Sequence, residues 1–234
     1  MSIAENIAQI RARIAAAATR VRRQPEEITL MVVSKTVEPE RIREAYAAGL
    51  RVFGENRVQE FEKKAPALAD LKEAEWHLIG HLQSNKAKKT AEIFQAVDSV
   101  DSLHLAQKLN DTARQMGKVL PVLIEIKVSD EESKSGIPVG SPEMENLLAG
   151  AAKLDHIRVR GVMTVPPFTE DPEGARVFFR LLRDYRDQIA ARRLPRIEMN
   201  VLSMGMSHDF EVAIEEGSTC VRVGTAIFGA RPKP

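Results

Sequence analysis

A single cysteine, Cys220, stands in 234 residues, so no disulfide can close within the chain and no Cys-x-x-Cys pair is available for zinc or redox chemistry. Net charge is as sparse: 34 basic residues oppose 33 acidic ones, for a formal charge of +1. That balance provides no global field for nucleic acid or an anionic membrane. No apolar run approaches the length of a membrane span. The Ala- and Arg-rich start, residues 2–23, is amphipathic, carries Glu5 and lacks the continuous apolar stretch of a secretory signal. Also missing are a Walker loop, a Gly-rich dinucleotide fingerprint and a G-x-S-x-G elbow. What the chain does have is 44% hydrophobic and 29% charged residues, enough to bury a core without staples. A cytoplasmic globular protein is the expectation.

The apolar residues recur with two alternating periods. Ile3, Ile7, Ile10, Ile14 and Val21 follow helical spacing up to Pro25. Residues 28–33 then form a short β-branched run of the kind buried on both faces of a sheet. Helical spacing over 38–48, stopped by Gly49, leads to a strand at 50–53. The same rotation continues with helix 58–72 and strand 76–79, helix 85–93 and strand 96–97, and helix 103–116 and strand 119–126. Helix 142–154 and strand 157–162, helix 172–192 and strand 197–202, and helix 210–216 and strand 219–223 complete it, with a helical turn near Thr225. Eight strands separated by helices predict βαβ units and a parallel sheet. Eight units in a chain of this length match a minimal closed (β/α)8, or TIM, barrel. An open doubly wound sheet is the rival, but it usually has fewer strands and a Gly-rich turn after the first; here that turn is Ser34-Lys35-Thr36-Val37. The only long loops are 128–140 and 165–173, so the whole chain, 1–234, reads as one domain.

In such a barrel the chemistry sits at the C-terminal strand ends. The residues there are Lys35, then Gly54, Glu55 and Asn56, Gly80 and His81, Asp98 and Ser99, Lys127, and Met163 and Thr164. Lys35 stands out, because four apolar residues precede Ser34 and its stem must begin inside the barrel mouth. A desolvated amine there has a lowered pKa and can form a Schiff base; snorkelling to the rim is the other reading. Residues 203–207, Ser-Met-Gly-Met-Ser, and Arg222-Val-Gly-Thr225 both place small or hydroxylic residues between a strand and a helix. Backbone N–H groups can approach a phosphate in that setting, and barrels bind phosphate after their seventh and eighth strands. Tight turns, with Ser207 as a helix cap, would serve the same residues structurally. His77 and His81 are four apart, but a strand-to-turn segment separates their faces, which argues against a metal site. Lys86, Lys88 and Lys89 read as a solvated helix face, and Glu131, Glu132 and Lys134 as an exposed polar loop.

Seven motifs carry these features in order: Val-Val-Ser-Lys-Thr (32–36), Phe-Gly-Glu-Asn-Arg-Val-Gln-Glu (53–60), Trp-His-Leu-Ile-Gly-His-Leu-Gln-Ser-Asn-Lys (76–86), Ser-Lys-Ser-Gly (133–136), Arg-Gly-Val-Met-Thr-Val-Pro (160–166), Leu-Ser-Met-Gly-Met-Ser (202–207) and Val-Arg-Val-Gly-Thr-Ala-Ile-Phe-Gly (221–229). Together they resemble the pyridoxal phosphate homeostasis protein family over nearly the whole chain. The resemblance implies a fold-type III barrel, similar to the N-terminal domain of alanine racemase, with pyridoxal 5'-phosphate (PLP) as cofactor and no metal. It implies that Lys35 holds PLP as a Schiff base, that Asn56 lies near the ring and that Arg222 faces the pyridine nitrogen. Ser203, Ser207, Gly224 and Thr225 would surround the phosphate. His208 departs from the family, which more often has an acidic residue between that serine and Asp209, so cofactor affinity or its pH dependence could differ.

The function implied is a cytoplasmic monomer that carries PLP for intracellular homeostasis and supplies it to apo-enzymes. The alternative is an amino-acid racemase, which needs a base on each face of the reacting carbon. In alanine racemases the second base is a tyrosine that depends on a further β-domain, and the only tyrosines here, Tyr46 and Tyr185, fall within predicted helices. An arginine at the ring nitrogen also keeps that nitrogen unprotonated and a poorer electron sink, although alanine racemases share it. A barrel aldolase acting through Lys35, with Glu55 or Asp98 as acid or base, would leave the two phosphate turns without a purpose. The chain is read as a carrier without turnover.

Overall fold

Eight parallel strands pair in a ring. A computed structural model of the chain describes residues 1–131 and 134–229; residues 230–234, Glu132 of the polar loop and Ser133 of the Ser-Lys-Ser-Gly motif lie outside the described residues. The strands are β1 (Thr29–Val33), β2 (Val52–Glu55), β3 (Glu75–Leu78), β4 (Ala96–Val100), β5 (Leu120–Lys127), the two-residue β6 (Ile137–Pro138), β7 (Ile157–Met163), β8 (Ile197–Met206) and β9 (Cys220–Val223). Pairing runs β1-β2-β3-β4-β5-β7-β8-β9, and β9 returns to β1. That closure removes the sheet edge and decides against the open doubly wound sheet. β6 is additional to the eight expected strands. It lies in the 128–140 loop and extends the end of β5 through Ile126↔Ile137 and Lys127↔Pro138.

The helices are α1 (Ile3–Arg20), α2 (Pro39–Ala47), α3 (Val58–Lys64), α4 (Ala87–Ile93), α5 (Leu103–Gln115), α6 (Pro142–Ala151), α7 (Arg176–Ala191), α8 (Phe210–Glu215) and the single turn α9 (Thr225–Phe228). Because α9 is so short, the position of an eighth outer helix is taken by α1 from the start of the chain. Its stripe of Ile3, Ile7, Ile10 and Ile14 is buried, each worth about 1.5–3 kcal/mol of burial. Ser2 and Glu5 form a capping box at its start. Its polar flank reaches α8 through Arg13–Glu211 (2.8 Å) and Arg20–Glu215 (2.7 Å), and α9 through Asn6 Nδ2 donating to the Ile227 carbonyl (2.8 Å). Four of the aromatic residues gather on one flank, where Phe53, Trp76, Phe61 and Phe94 follow one another at ring distances of 4.6–4.9 Å between β2, β3 and the helices outside them.

Several boundaries differ from the sequence expectation, among them the strands expected at 50–53 and 96–97, which run Val52–Glu55 and Ala96–Val100; two of the shifts have a clear local reason. The predicted helix 58–72 stops at Lys64 and gives way to a 3-10 turn, Ala65–Leu68, carrying Pro66, since proline cannot donate to the preceding turn. Strand β8 continues through Met206, so Ser203 to Met206 are strand rather than turn. Gly205 makes this possible: its φ is +92°, and a Cβ there would lie 2.5 Å from the Ala213 Cβ and 2.9 Å from the Phe210 Cα of α8. Among the described residues no helix is long and apolar enough to cross a membrane.

Candidate functional site

The turn that carries Lys35 is fixed from both sides. Ser34 is fully buried, with its N–H donating to the Gly54 carbonyl at 3.0 Å. Its hydroxyl donates to Glu55 Oε1 at 2.7 Å. Lys64 of α3 donates from Nζ to the Ser34 carbonyl (3.0 Å), to Glu55 (2.7 Å) and to Glu60 (3.1 Å). Glu60 in turn accepts the Thr36 N–H at 2.5 Å, and Thr36 sits at φ +61°. Both neighbours of Lys35 are thereby tied to α3, and Lys35 itself is half-buried just past β1. Burial pushes the Glu55 carboxyl above its ordinary range, with the Lys64 cation opposing that rise. Lys64 and Glu60 were not singled out from the sequence; their four-residue spacing on one helix face was the available signal.

Arg222 is almost completely buried on β9. Its Nη1 donates to Ser203 Oγ and its Nη2 to the Thr164 carbonyl, both at 2.7 Å. The Thr164 hydroxyl donates to the Ile126 carbonyl at 2.7 Å, so one guanidinium is locked to β8, β7 and, through Thr164, β5. Ser203 is fully buried behind it, which gives its hydroxyl the job of orienting Arg222. Beyond β9, the Gly224 N–H donates to Ser207 Oγ at 3.3 Å, and Thr225 is exposed at the start of α9. A Cβ on Gly224 would lie 3.2 Å from the Val33 carbonyl oxygen and 3.3 Å from the Val33 Cβ. The Ser207–Gly224–Thr225 turn is therefore pressed against the end of β1, two residues before Lys35. Asn56 follows β2 and is half-buried; a Cβ on Gly80 would collide with its carbonyl oxygen, and Gly80 is anchored by Ser99 Oγ donating to its carbonyl at 2.7 Å.

Glu125 also escaped the sequence reading. It is buried near the end of β5, its Oε2 has no hydrogen-bond partner, and its carboxyl is pushed up to about 7. Burial is the main cause, Asp101 adds to it, and Arg222 and His81 oppose it. The only hint in the sequence was an acid interrupting the apolar run of β5. His208 turns outward: its Nε2 faces the carbonyls of Thr169 and Glu170 at 3.1 Å, and its ring packs on Phe168. It thus holds the 165–173 loop. His77 and His81 are separated, His77 on Asp98 (3.1 Å) and His81 on Asp101 (3.0 Å). Lys89 pairs with Glu62 on the surface.

This donor set suits a phosphorylated aldehyde. A half-buried amine, a fixed guanidinium that keeps its charge, and a hydroxyl-rich turn with a glycine at its closest approach all meet at one mouth. The family described as "Alanine racemase, N-terminal domain" matches residues 5–232. The chain is 45% identical to the pyridoxal phosphate homeostasis protein of Aquifex aeolicus, over 99% of each chain. It is 47% identical to that of Escherichia coli K12, over 98% of this chain and 97% of that one. The structure of PipY from Synechococcus elongatus with PLP bound superposes with a TM-score of 0.85 at 36% identity, covering 97% of this chain and all of that one. Alanine racemase of Corynebacterium glutamicum shares the fold at 20% identity and a TM-score of 0.70, with 99% of this chain covering 61% of that one.

Replacing Lys64 with Met strands Glu55 without its cation. We expect a loss of roughly 3–5 kcal/mol at alkaline pH. A native carboxyl with a raised pKa loses stability as pH climbs from its unfolded value, near 4.5, through its native one. The deficit should therefore shrink near about pH 5, and a Glu55→Gln partner substitution should remove most of it. Urea denaturation at about pH 5 and pH 8 measures this; an equal deficit at both pH values would contradict it.

Proposed function

This chain belongs to the pyridoxal phosphate homeostasis protein family, and we propose that it is a PLP carrier whose cofactor lies at the C-terminal barrel mouth and is held through Lys35. The observation that carries the reading is the convergence of Lys35, Arg222 and the Ser207–Gly224–Thr225 turn at the meeting of β1 and β9. Bound PLP supplies an electrophilic aldehyde that an amine can hold reversibly. Lys35 offers that amine from a turn whose flanking residues are immobilised by Glu55, Glu60 and Lys64. Arg222 presents a donor that cannot lose its charge to the ring nitrogen, and Ser203 and Thr164 fix its plane. Ser207, Gly224 and Thr225 receive the phosphate, with Asn56 beside the ring. Ser203, which the resemblance put at the phosphate, acts one step behind, through Arg222.

A carrier needs hold and release more than proton transfer. The relatives are named homeostasis proteins, and we propose that this chain likewise supplies PLP to apo-enzymes, as a monomer and without turnover of its own. Tyr46 lies on α2 with its ring under the Arg51 guanidinium (4.1 Å), and Tyr185 is buried on α7. Neither is on a strand end. A cytoplasmic setting suits the lone Cys220, which is unpaired and whose thiol burial pushes up to about 12.

Borohydride treatment of the PLP-loaded protein followed by peptide mapping should place the pyridoxyl mass on Lys35, and Lys35→Ala should lose it while unfolding as wild type does. A label on Lys127 or Lys86 would overturn the assignment. Ser207→Ala and Thr225→Val should each weaken PLP retention about tenfold or more, the loss of one hydrogen bond to a charged group, read by equilibrium dialysis; unchanged retention would move the phosphate elsewhere. Alanine incubated with the loaded protein in heavy water should keep its α-proton, followed by NMR. Rapid exchange that disappears in Glu125→Gln would make the racemase reading correct, with Glu125 as the missing base.

A further inference from the structure

The other end of the lumen is open too. A cavity of about 800 Å3 enters the barrel from its N-terminal mouth, and each of the eight barrel strands contributes to its lining. Barrels of this type normally fill that space with layers of bulky branched side chains. Here the lining positions include Thr29, Ala96 and Cys220, which are small, and a His77–Asp98 ion pair. The deep lining is buried and largely apolar, with Met31, Leu123 and Cys220, whereas Glu75 and Arg160 on the rim are exposed.

The rim charges do not cancel locally. On one wall Glu75 and Asp98 share a single cation, His77, whose Nδ1 is 3.1 Å from Asp98 and whose Nε2 is 4.0 Å from Glu75. Burial works against charging His77, but the two carboxylates outweigh it and push its pKa up to about 10. One negative charge is left over. On the far side the lining residue Arg160 and, just outside the lining, Arg158 share a single anion, Glu198, at 2.8 and 3.1 Å, leaving one positive charge. The third pair, Arg23–Glu27 at 3.1 Å, is balanced. The walls oppose each other, because β3 is three pairings from β7 and four from β8 around the ring.

We propose that this N-terminal mouth is a second ligand site, for a small zwitterion with an apolar body, such as a free apolar amino acid or a short apolar peptide. Its cationic end meets Glu75, its anionic end meets Arg160, and its body covers Met31 and Leu123. A purely anionic ligand finds no partner on the Glu75–Asp98 wall, and a purely cationic one none on the Arg160 wall. Either can turn its charged end to the favourable wall, but it forfeits the second attraction. The site is independent of the cofactor reading, since its residues lie at the opposite ends of the strands from Lys35 and Gly224.

The test is an NMR titration of the 15N-labelled, PLP-loaded protein with L-leucine, alanyl-leucine, 4-methylpentanoate and 3-methylbutylamine. At least one zwitterion should shift the amides of Ala96, Asn200 and Thr219 saturably, and the singly charged compounds should bind about fivefold more weakly, as the loss of one partly exposed charge contact implies. Arg160→Glu, a change on the exposed rim, should abolish the preference for the zwitterion, and Leu123→Trp should block all four compounds. Absence of saturable shifts at these amides, equal binding of a singly charged analogue, or an unchanged preference in Arg160→Glu would overturn the proposal, even if Leu123→Trp fails to fold. Shifts confined to the Lys35 mouth would also overturn it, while leaving the cofactor reading intact.

Discussion

The pairing of the first strand with the last governs the C-terminal barrel mouth, where we propose that the cofactor sits. Thr29↔Cys220, Leu30↔Val221, Met31↔Arg222 and Val32↔Val223 set one register, and that register alone brings residues nearly two hundred positions apart to the same rim. A slip by one residue would turn Arg222 from the lumen to the helix layer, because side chains alternate faces along a strand. Gly224 records how close the approach is, since even a methyl group there would press on Val33. The closure also explains the placement of α1, which seals the seam by packing on α8 and α9.

The same strands shape both ends of the lumen. Cys220 and Arg222 are two residues apart on β9; one lines the N-terminal cavity, and the other is locked to Ser203 and Thr164 toward the opposite mouth. Buried charge is confined to positions where neighbours satisfy it. Arg222 has two fixed acceptors, Glu55 has Ser34 and Lys64, and Asp98 has His77. Glu55 and Glu125 each keep one buried oxygen without a hydrogen-bond partner, and Glu125, which has no close cation like Lys64, has its carboxyl pushed up to about 7. Such fixed groups orient what binds without having to rearrange when it arrives.

Much of this was legible in the sequence for a physical reason. Strands buried on both faces must be continuous apolar runs, and helices that cover them must be amphipathic, so the alternation revealed the barrel. Lys35 stood out because a lysine one residue past such a run must begin at the barrel mouth, and the structure leaves it half-buried just after β1. Gly205 looks like a turn signal next to Ser203 in the sequence, but in the structure it lets β8 pass beneath α8 at φ +92°. The Glu60–Lys64 pair has only its four-residue spacing as a signal in the sequence, and what it braces is chosen by how α3 packs against the end of β1. The N-terminal cavity was hidden for a related reason. Whether a lumen is full depends on the sizes of side chains from eight separate segments, and no single segment reports it.

The central claim is that the amine of Lys35 is the group that binds the aldehyde at this mouth. The absorbance spectrum of the purified, PLP-loaded protein tests it most directly. Wild type should show a band near ~420 nm that is absent from folded Lys35→Ala, which should show only the spectrum of loosely held or free cofactor. The same band at undiminished strength in Lys35→Ala would contradict it.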